Sequence, residues 1–370
     1  MKKFIFAIVI IVVALGVGLY VRNSRENSTL SLTQKLYVAV EGMGKVAVIN
    51  PLTRKVAKYI DLSGTHDGEA LLYAPHNVQV SPNGATVWVT ANAGVGHDDH
   101  SFLSTKRARA HGTELPFDDV IVIDALTDTI KGRIAIAPEA HLAHVELTPD
   151  NKFAYVTAQT EGAIYKINAE TFLIDKRIEV PAGSEPHGLR ISPNGQRVFV
   201  AESKGLGWLE TSQDEYATLR LKGKAIQAGV TPNGEIFGAT IYDTKSVAIF
   251  NDTWQVSYVD LPAAAKGPIQ MYPTPDSKYF YIADQGYYFG QPEGDTVYKI
   301  DVIANSVVKE IKVGRAPHGV VVTPDGKFVY VTNLLSGDVS IIDTATDLEV
   351  AKIPVGKEPN GVSFWEGLSN

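Results

Sequence analysis

The chain repeats one pattern of apolar and polar positions with a period of about 42 residues. The clearest unit begins at Pro317 and reads PHGVVVTPDGKFVYVTNLLSGDVSIIDTATDLEVAKIPVG. It contains four short runs that are β-branched or alternate between apolar and polar residues, and each break between them carries Pro, Asp, Asn or Gly. Such runs are typical of strands and such breaks are typical of turns. Each unit therefore predicts four short strands that alternate in direction.

The number of units predicts the architecture. A turn motif, Ser or Thr followed by Pro and then Asn or Asp, begins at Ser81, Thr148, Ser192, Thr231, Thr274 and Thr323, and marks six complete units. A seventh unit is split, because the segment from Lys35 supplies strands two to four and PNGVSFWEG, from Pro359, supplies strand one. Joining the chain ends in one blade leaves no open edge in the ring. We predict an all-β fold over residues 35–370: a seven-bladed β-propeller with four-stranded blades, closed by the C-terminal strand joining the N-terminal blade.

The N-terminus has a different pattern. Lys2 and Lys3 precede FIFAIVIIVVALGVGLYV, an apolar run of about 18 residues, which is near the minimum for a membrane-spanning helix. Because positive residues stay in the cytoplasm, we expect residues 1–22 to form an N-terminal transmembrane helix, 23–34 a polar tether, and the propeller to be membrane-anchored on the exported side, periplasmic or extracellular. A cleaved signal sequence is the alternative, although no clean small-x-small cleavage site precedes Arg22.

Composition narrows the classes of partner. The net charge of −7 argues against a nucleic-acid partner, since phosphate binding is typical of basic surfaces. The absence of cysteine fits an exported domain without disulfides, and it removes thiolate from the set of metal ligands. We expect a monomeric propeller without an organic cofactor, and a protein or small-molecule partner at one face.

One motif identifies a family resemblance. Tyr330-Val331-Thr332-Asn333 spells the signature of the YVTN family of β-propeller repeat proteins, and degenerate versions stand at Tyr155 and Val87. The chain resembles this family over residues 35–370. The resemblance implies the propeller fold and says little about function, because such propellers host binding proteins, lactonases and metal or haem enzymes.

The repeat register places all nine histidines in one half of the propeller. In each blade the loop between strands two and three lies on the same face as the link to the next blade, which we call the upper face. His76, His187 and His318 share one position, five residues before the turn Ser or Thr, at the mouth end of an innermost strand. His144 lies one place further along in its blade. The other blades carry Ala143, Ile226, Ile269 and Asn360 at the shared position, so the repeat does not require histidine there.

An insert adds three more histidines to this face. The stretch GVGHDDHSFLSTKRARAHG, residues 94–112, lengthens the loop between strands two and three of its blade and contains His97, His100 and His111. We expect it to cover the mouth as a lid. Its cationic residues, Lys106, Arg107 and Arg109, are most simply solvated.

Clustered imidazoles without cysteine suit borderline transition metals. We therefore predict a metal site at the upper mouth, with copper favoured over zinc or iron and a redox or metal-handling role. The predicted ligands are His76, His144, His187, His318, His97, His100 and His111. Histidine rings at a propeller mouth resemble the copper site of nitrous oxide reductase and the histidines of haem-binding nitrite reductase propellers. This chain has neither a cupredoxin domain nor a CxxCH motif, so the resemblance does not imply electron transfer as in those enzymes.

Two other functions stay open, and with them the question of whether the protein is an enzyme. The first is a non-catalytic binding or scaffold propeller that recognises a protein, glycan or peptide, because polar residues are ordinary at the mouth of a wet channel. The second is a lactonase- or lyase-type enzyme with a histidine as acid or base. The aromatic loop from Tyr287 either walls a pocket on the upper face or packs between blades. Asp61, Asp124 and Asp343 are interpreted as turn formers.

Overall fold

The computed structural model describes residues 33–94 and 115–368, and almost all of their regular structure is β-strand. The predicted transmembrane helix, residues 1–22, and most of the predicted tether lie outside the described residues. Within the described ranges, no helix has the length and apolar character needed to cross a membrane.

The strands form seven antiparallel four-stranded blades, as predicted. Blade 1 consists of β1 (Lys35–Val40), β2 (Lys45–Asn50), β3 (Lys55–Asp61) and the C-terminal β30 (Pro359–Trp365). A small hairpin follows, β4 (Gly64–His66) with β5 (Glu69–Leu71). Blade 2 consists of β6 (Tyr73–Val80), β7 (Thr86–Ala93), β8 (Phe117–Asp124) and β9 (Thr129–Pro138). Blade 3 consists of β10 (Leu142–Leu147), β11 (Phe153–Ala158), β12 (Ala163–Asn168) and β13 (Ile174–Glu179).

The remaining blades follow in chain order. Blade 4 consists of β14 (Leu189–Ile191), β15 (Arg197–Glu202), β16 (Gly205–Glu210) and β17 (Glu215–Arg220). Blade 5 consists of β18 (Ala225–Val230), β19 (Phe237–Ile241), β20 (Ser246–Phe250) and β21 (Ser257–Asp260). Blade 6 consists of β22 (Pro268–Pro273), β23 (Tyr279–Asp284), β24 (Thr296–Asp301) and β25 (Ser306–Lys312). Blade 7 consists of β26 (Pro317–Val322), β27 (Phe328–Asn333), β28 (Asp338–Asp343) and β29 (Leu348–Pro354).

Two one-turn 3₁₀ helices, Glu41–Met43 and Tyr287–Phe289, lie in loops between strands two and three, in blades 1 and 6. The ring closes as predicted, because β30 pairs with β1 antiparallel, with Lys35 opposite Trp365. Each innermost strand packs against the next one round the ring, and β26 packs against β30. Apolar side chains fill the spaces between adjacent blades, as where Trp88 of blade 2 packs with Val156 of blade 3.

The turn motif works through its hydroxyl group. Thr323 Oγ1 donates to Asp325 Oδ1 at 2.7 Å and accepts the backbone N–H of Phe328 at 3.1 Å. The same hydroxyl-to-side-chain bond is present in all six complete units. The predicted turn formers are also confirmed, since Asp61, Asp124 and Asp343 each accept backbone N–H groups of the turn that follows.

A second hydroxyl group, the threonine of the YVTN signature, acts at the upper end of the innermost strands. In six blades the pairing of the innermost strand shifts there, as in a β-bulge. In blade 7, Thr332 Oγ1 accepts the freed N–H of Gly319 at 2.7 Å and donates to the carbonyl of Asn360, in the neighbouring blade, at 2.6 Å.

Thr90, Thr157 and Thr240 make the same pair of bonds in their blades, and all four threonines are fully buried. The threonine thus replaces a missing bond of the strand ladder and ties one blade to the next. Gly319 is needed at this junction, because a Cβ there would lie 2.4 Å from the Asn360 carbonyl oxygen.

We expect Thr332→Ala to lower the free energy of unfolding by about 1–3 kcal/mol, because it leaves a buried N–H and a buried carbonyl without partners. Thr332→Ser keeps the hydroxyl and should lose about 1 kcal/mol or less. Thr53→Ala, at an exposed turn position, is the control. Chemical unfolding measures all three, and equal losses for the alanine and serine variants would show that the bridge contributes nothing.

Candidate functional site: a histidine cluster at the channel mouth

Four of the predicted ligands come together at the upper mouth of the central channel. The ring centre of His76 lies 6.1 Å from that of His144, 5.6 Å from that of His187 and 5.9 Å from that of His318. His144 and His187 lie 5.4 Å apart. A fifth histidine, His141, lies 5.9 Å from His76 and is solvent-exposed. We refer to these five residues as the histidine cluster.

His144 joins the cluster although it lies one residue out of register with the other three. It belongs to the shifted part of β10, and its backbone N–H is held by Thr157 rather than by the strand ladder. In blade 4, His187 lies just before β14, and its N–H donates to the carbonyl of Ala201. The next residue, Gly188, donates to the Ile226 carbonyl of blade 5, an approach that a Cβ would obstruct.

The hydrogen bonds of the cluster determine which ring nitrogen atoms are engaged and which have no partner. His187 Nδ1 lies 3.0 Å from the Ile226 carbonyl oxygen, so Nδ1 carries the proton and Nε2 is the free acceptor. His144 Nε2 lies 3.1 Å from the Gln270 side-chain amide. His76 Nε2 and His318 Nδ1 are buried and have no hydrogen-bond partner among the described residues. Unpartnered buried polar atoms of this kind are uncommon and point to a missing partner.

Glu41 and Asn360 flank the cluster, and the sequence reasoning did not select either of them. Asn360 Nδ2 lies 3.1 Å from His76 Nδ1 and also donates to Glu41 Oε2. The Glu41 carboxylate lies 3.8 Å from His76 Nδ1. One signal for Asn360 was available, since it occupies the repeat position of His76 and His318. No repeat position marks Glu41, because it lies in the loop after β1.

Burial lowers the pKa values of His144, His187 and His318 and so holds these imidazoles neutral. Burial lowers the pKa of His318 from its usual 6.5 to about 3, and the neighbouring His76 acts in the same direction. Burial, followed by the nearby His187 and His76, holds the pKa of His144 well below the usual value. Neutral imidazole is the form that binds metal ions and accepts protons.

The aromatic loop both walls the mouth and packs between blades, so the two alternatives are compatible. The ring centre of Tyr288 lies 5.5 Å from His318, and its hydroxyl lies 3.3 Å from Glu41 Oε2 and from Asn360 Nδ2. Phe289, the next residue, packs against Tyr242 of blade 5 with ring centres 4.0 Å apart.

His97, His100 and His111 lie outside the described residues, as do Lys106, Arg107 and Arg109. Asp118 connects the described residues on either side of this stretch to the histidine cluster through hydrogen bonds. Its carboxylate accepts the N–H of Ala93 at 2.7 Å and the N–H of His141 at 2.9 Å. Burial raises the pKa of Asp118 to about 6.

A metal ion imposes a geometric test on the cluster. A ring nitrogen at ~2.0–2.1 Å from the metal places the ring centre about 3.2 Å away, so ligands at tetrahedral to trigonal angles have ring centres about 5.2–5.5 Å apart. Two of the three separations among His76, His144 and His187 are close to this range. As the side chains stand, however, no three His, Asp or Glu residues of the described ranges have their donor atoms positioned to share one ion.

The channel beneath the cluster is narrow and charged. Its free volume is ≈ 20 Å³, enough for one or two water-sized groups. Glu146 and Arg190 form an ion pair there, with Arg190 Nη1 donating to Glu146 Oε1 at 3.2 Å. The Arg190 guanidinium lies 5.1 Å from the ring centre of Tyr272.

Comparison with known proteins supports the fold and leaves the site open. No family model matches the chain. A curated relative, hydrazine synthase subunit beta of Kuenenia stuttgartiensis, is 25% identical over 229 residues, which are 55% of this chain and 53% of the relative. The chain therefore spans about half the length of this relative.

Several solved structures are similar, and three of them illustrate the range. Hydrazine synthase of Kuenenia stuttgartiensis has a TM-score of 0.62 at 19% identity, covering 78% of this chain and 88% of that one. A catalytically inactive histidine-to-alanine variant of virginiamycin B lyase of Staphylococcus aureus, with quinupristin, has a TM-score of 0.62 at 15% identity, covering 80% and 92%. The dihydro-heme d1 dehydrogenase NirN in complex with DHE has a TM-score of 0.59 at 13% identity, covering 90% and 75%. These likenesses confirm the propeller fold.

The buried histidines predict a specific response to acid. Above about pH 6.5 His318 is neutral in the folded and unfolded chains, so it adds no pH dependence. As the pH falls from 6.5 towards 3, the unfolded chain binds a proton that the folded chain does not, and stability decreases by about 1.4 kcal/mol per pH unit for this residue.

His318→Gln should therefore lose less free energy of unfolding than the unchanged protein between pH 6 and pH 4. Unfolding by denaturant at several pH values measures the difference. Identical pH slopes for the two proteins would show that His318 titrates normally.

Proposed function

We propose that the upper mouth binds one transition-metal ion through His76, His144 and His187, with His318 beside them, and that the protein has a redox or metal-handling role. The observation that carries the proposal is the convergence of buried imidazoles from different blades, two of them with nitrogen atoms that lack partners among the described residues.

The donor set favours copper. All the donors are imidazole nitrogens, which suit copper, zinc, nickel and iron, and among divalent ions of this series copper binds most tightly to a given nitrogen site. Because the pKa values of His144 and His187 are lowered by burial, binding does not have to displace an extra proton from these two imidazoles near neutral pH. Small rotations of the rings from their present positions are required, since three donors do not yet meet at one point.

Residues around the cluster have distinct roles in this proposal. The Ile226 carbonyl holds the proton of His187 on Nδ1 and leaves Nε2 for the ion. Asn360 Nδ2 donates to His76 Nδ1, which leaves the ring proton on Nε2. Binding of the ion at Nε2 therefore requires the proton to move to Nδ1 and the Asn360 amide to turn so that its Oδ1 accepts it, while the Glu41 carboxylate offsets part of the charge of the bound cation. The insert containing His97, His100 and His111 is proposed as a further source of ligands.

A tetrapyrrole fits the described residues less well than an ion does. NirN carries DHE in its structure, but a free volume of ≈ 20 Å³ in the channel cannot hold a macrocycle. We therefore base no step on a haem.

A lyase-type reaction is the second candidate. The inactive histidine-to-alanine variant of virginiamycin B lyase indicates that a propeller of similar fold depends on one histidine. A proton-accepting role for His76, with Glu41 at 3.8 Å, would need no metal. A binding or scaffold propeller, with the histidines incidental, is the third reading.

We expect about one copper per chain after dialysis of the purified full chain against copper and removal of the excess, measured by elemental analysis. His76→Ala, His144→Ala and His187→Ala should each reduce binding affinity at least about tenfold, because each removes a ligand. His66→Ala is the matched control, because His66 lies in the small hairpin and contacts Asp67.

Less than about 0.2 copper or zinc per chain, unaffected by these substitutions, would refute the metal proposal and favour the lyase or the binding propeller. Loss of affinity in the His66→Ala variant to the same extent as in the others would show that copper binds non-specifically.

For location, we propose that residues 1–22 anchor the chain in a membrane and that the propeller lies on the exported side, as a monomer. The support is the apolar run that follows Lys2 and Lys3. We expect alkaline phosphatase fused after residue 370 to be active in cells, and the fusion to remain in the membrane fraction after carbonate washing. An inactive fusion would contradict export, and an active fusion in the soluble fraction would indicate a cleaved signal sequence.

A further inference from the structure

The channel directly beneath the histidine cluster contains charged groups that the proposed metal site does not use. Arg190, Glu146 and Tyr272 line the channel together with His76 and His144, so the charged layer and the imidazole layer share one cavity. Each of these three residues comes from the innermost strand of a different blade, two residues before the turn Ser or Thr.

The hydrogen bonding of this pair is asymmetric. Glu146 accepts two bonds, from Arg190 Nη1 at 3.2 Å and from the backbone N–H of Ile191 at 3.0 Å. Arg190 has five N–H groups, and its Nε is buried without a partner in the part of the chain that the structure describes. The carboxylate is therefore well satisfied, whereas the guanidinium has donors to spare.

The balance of charge determines what such a cavity binds. Without a metal, the charges of Arg190 and Glu146 cancel, so an anion would gain little. A divalent ion in the cluster would give the cavity a net positive charge even after the Glu41 carboxylate offsets part of it, and this favours an anion in a low-dielectric site. The free volume of ≈ 20 Å³ limits the anion to a few atoms.

Resting on the proposed metal site, we propose that the channel binds a small inorganic anion between the histidine cluster and Arg190, with one end of the anion on the metal ion and the other accepting from the Arg190 guanidinium. Anion and metal then bind cooperatively, and by linkage each raises the affinity of the other by the same factor. The negative charge of Glu146 repels the anion and lowers the affinity of the channel for it.

The probe is azide, titrated into the copper-loaded and the copper-free full chain, with calorimetry and the visible absorption of the copper as readouts. We expect saturable binding of one azide per copper in the loaded protein, and at least tenfold weaker binding in the copper-free protein. Sulfate, which is too large for the channel, should not compete with azide.

Two variants test the roles of the ion pair, and we expect them to change azide affinity in opposite directions. Glu146→Gln retains Arg190 and removes the opposing charge, so azide affinity should increase about tenfold. The double variant Arg190→Met with Glu146→Gln removes the pair together and avoids a lone buried charge, and its azide affinity should fall at least about tenfold with copper stoichiometry unchanged. Arg177→Met, at a partly exposed position of β13, is the control.

The outcomes separate this inference from the metal proposal. Copper binding without azide binding, or azide binding that is equal in the double variant and the unchanged protein, would overturn the anion site alone. Failure to bind copper would overturn both.

Discussion

One backbone hydrogen bond is missing from the strand ladder of most blades, and the arrangement of the channel mouth depends on the group that replaces it. At the upper end of the innermost strands the pairing shifts, and in four blades a buried threonine accepts the freed N–H while donating to a carbonyl of the next blade. Two structural requirements are met by one hydroxyl: the strand retains a partner for its N–H, and neighbouring blades are held at a fixed separation. Because the strand pairing is irregular at this point, the side chains of residues such as His144 and His318 can turn towards the channel axis.

The convergence of the strands then determines the electrostatics of the mouth. Imidazoles from blades 3, 4 and 7 are brought to within about 6 Å of His76 and removed from water, so protonation of His144, His187 and His318 is disfavoured both by burial and by their neighbours. The same removal from water makes the charge of any bound cation effective over the short distance to Arg190 and Glu146. The cluster and the ion pair are therefore best regarded as parts of one electrostatic system along the channel axis.

Much of the fold was predictable from the sequence, because the repeat supplies its own alignment. The strand breaks, the six turn motifs and the split blade can all be recognised in the amino-acid sequence, and the structure confirms them. The shared position of His76, His187 and His318 also identified three members of the cluster. His144, one place further along its strand, was predicted together with them. Other parts of the site depend on geometry that the sequence does not encode, since Glu41 reaches the cluster through a one-turn helix outside the repeat. Asn360 was read as evidence against a histidine requirement, whereas it is the group that holds His76.

The closure of the ring has a consequence for the order of events during folding. Glu41 lies in blade 1, and Asn360, its hydrogen-bond partner, lies in β30, which follows blades 2 to 7 in the chain. The surroundings of His76 are therefore incomplete until the strands of all seven blades are present, however early its own blade folds. A chain that stops before β30 would lack the groups that hold His76. The completed mouth is in this sense a sign that the ring has closed.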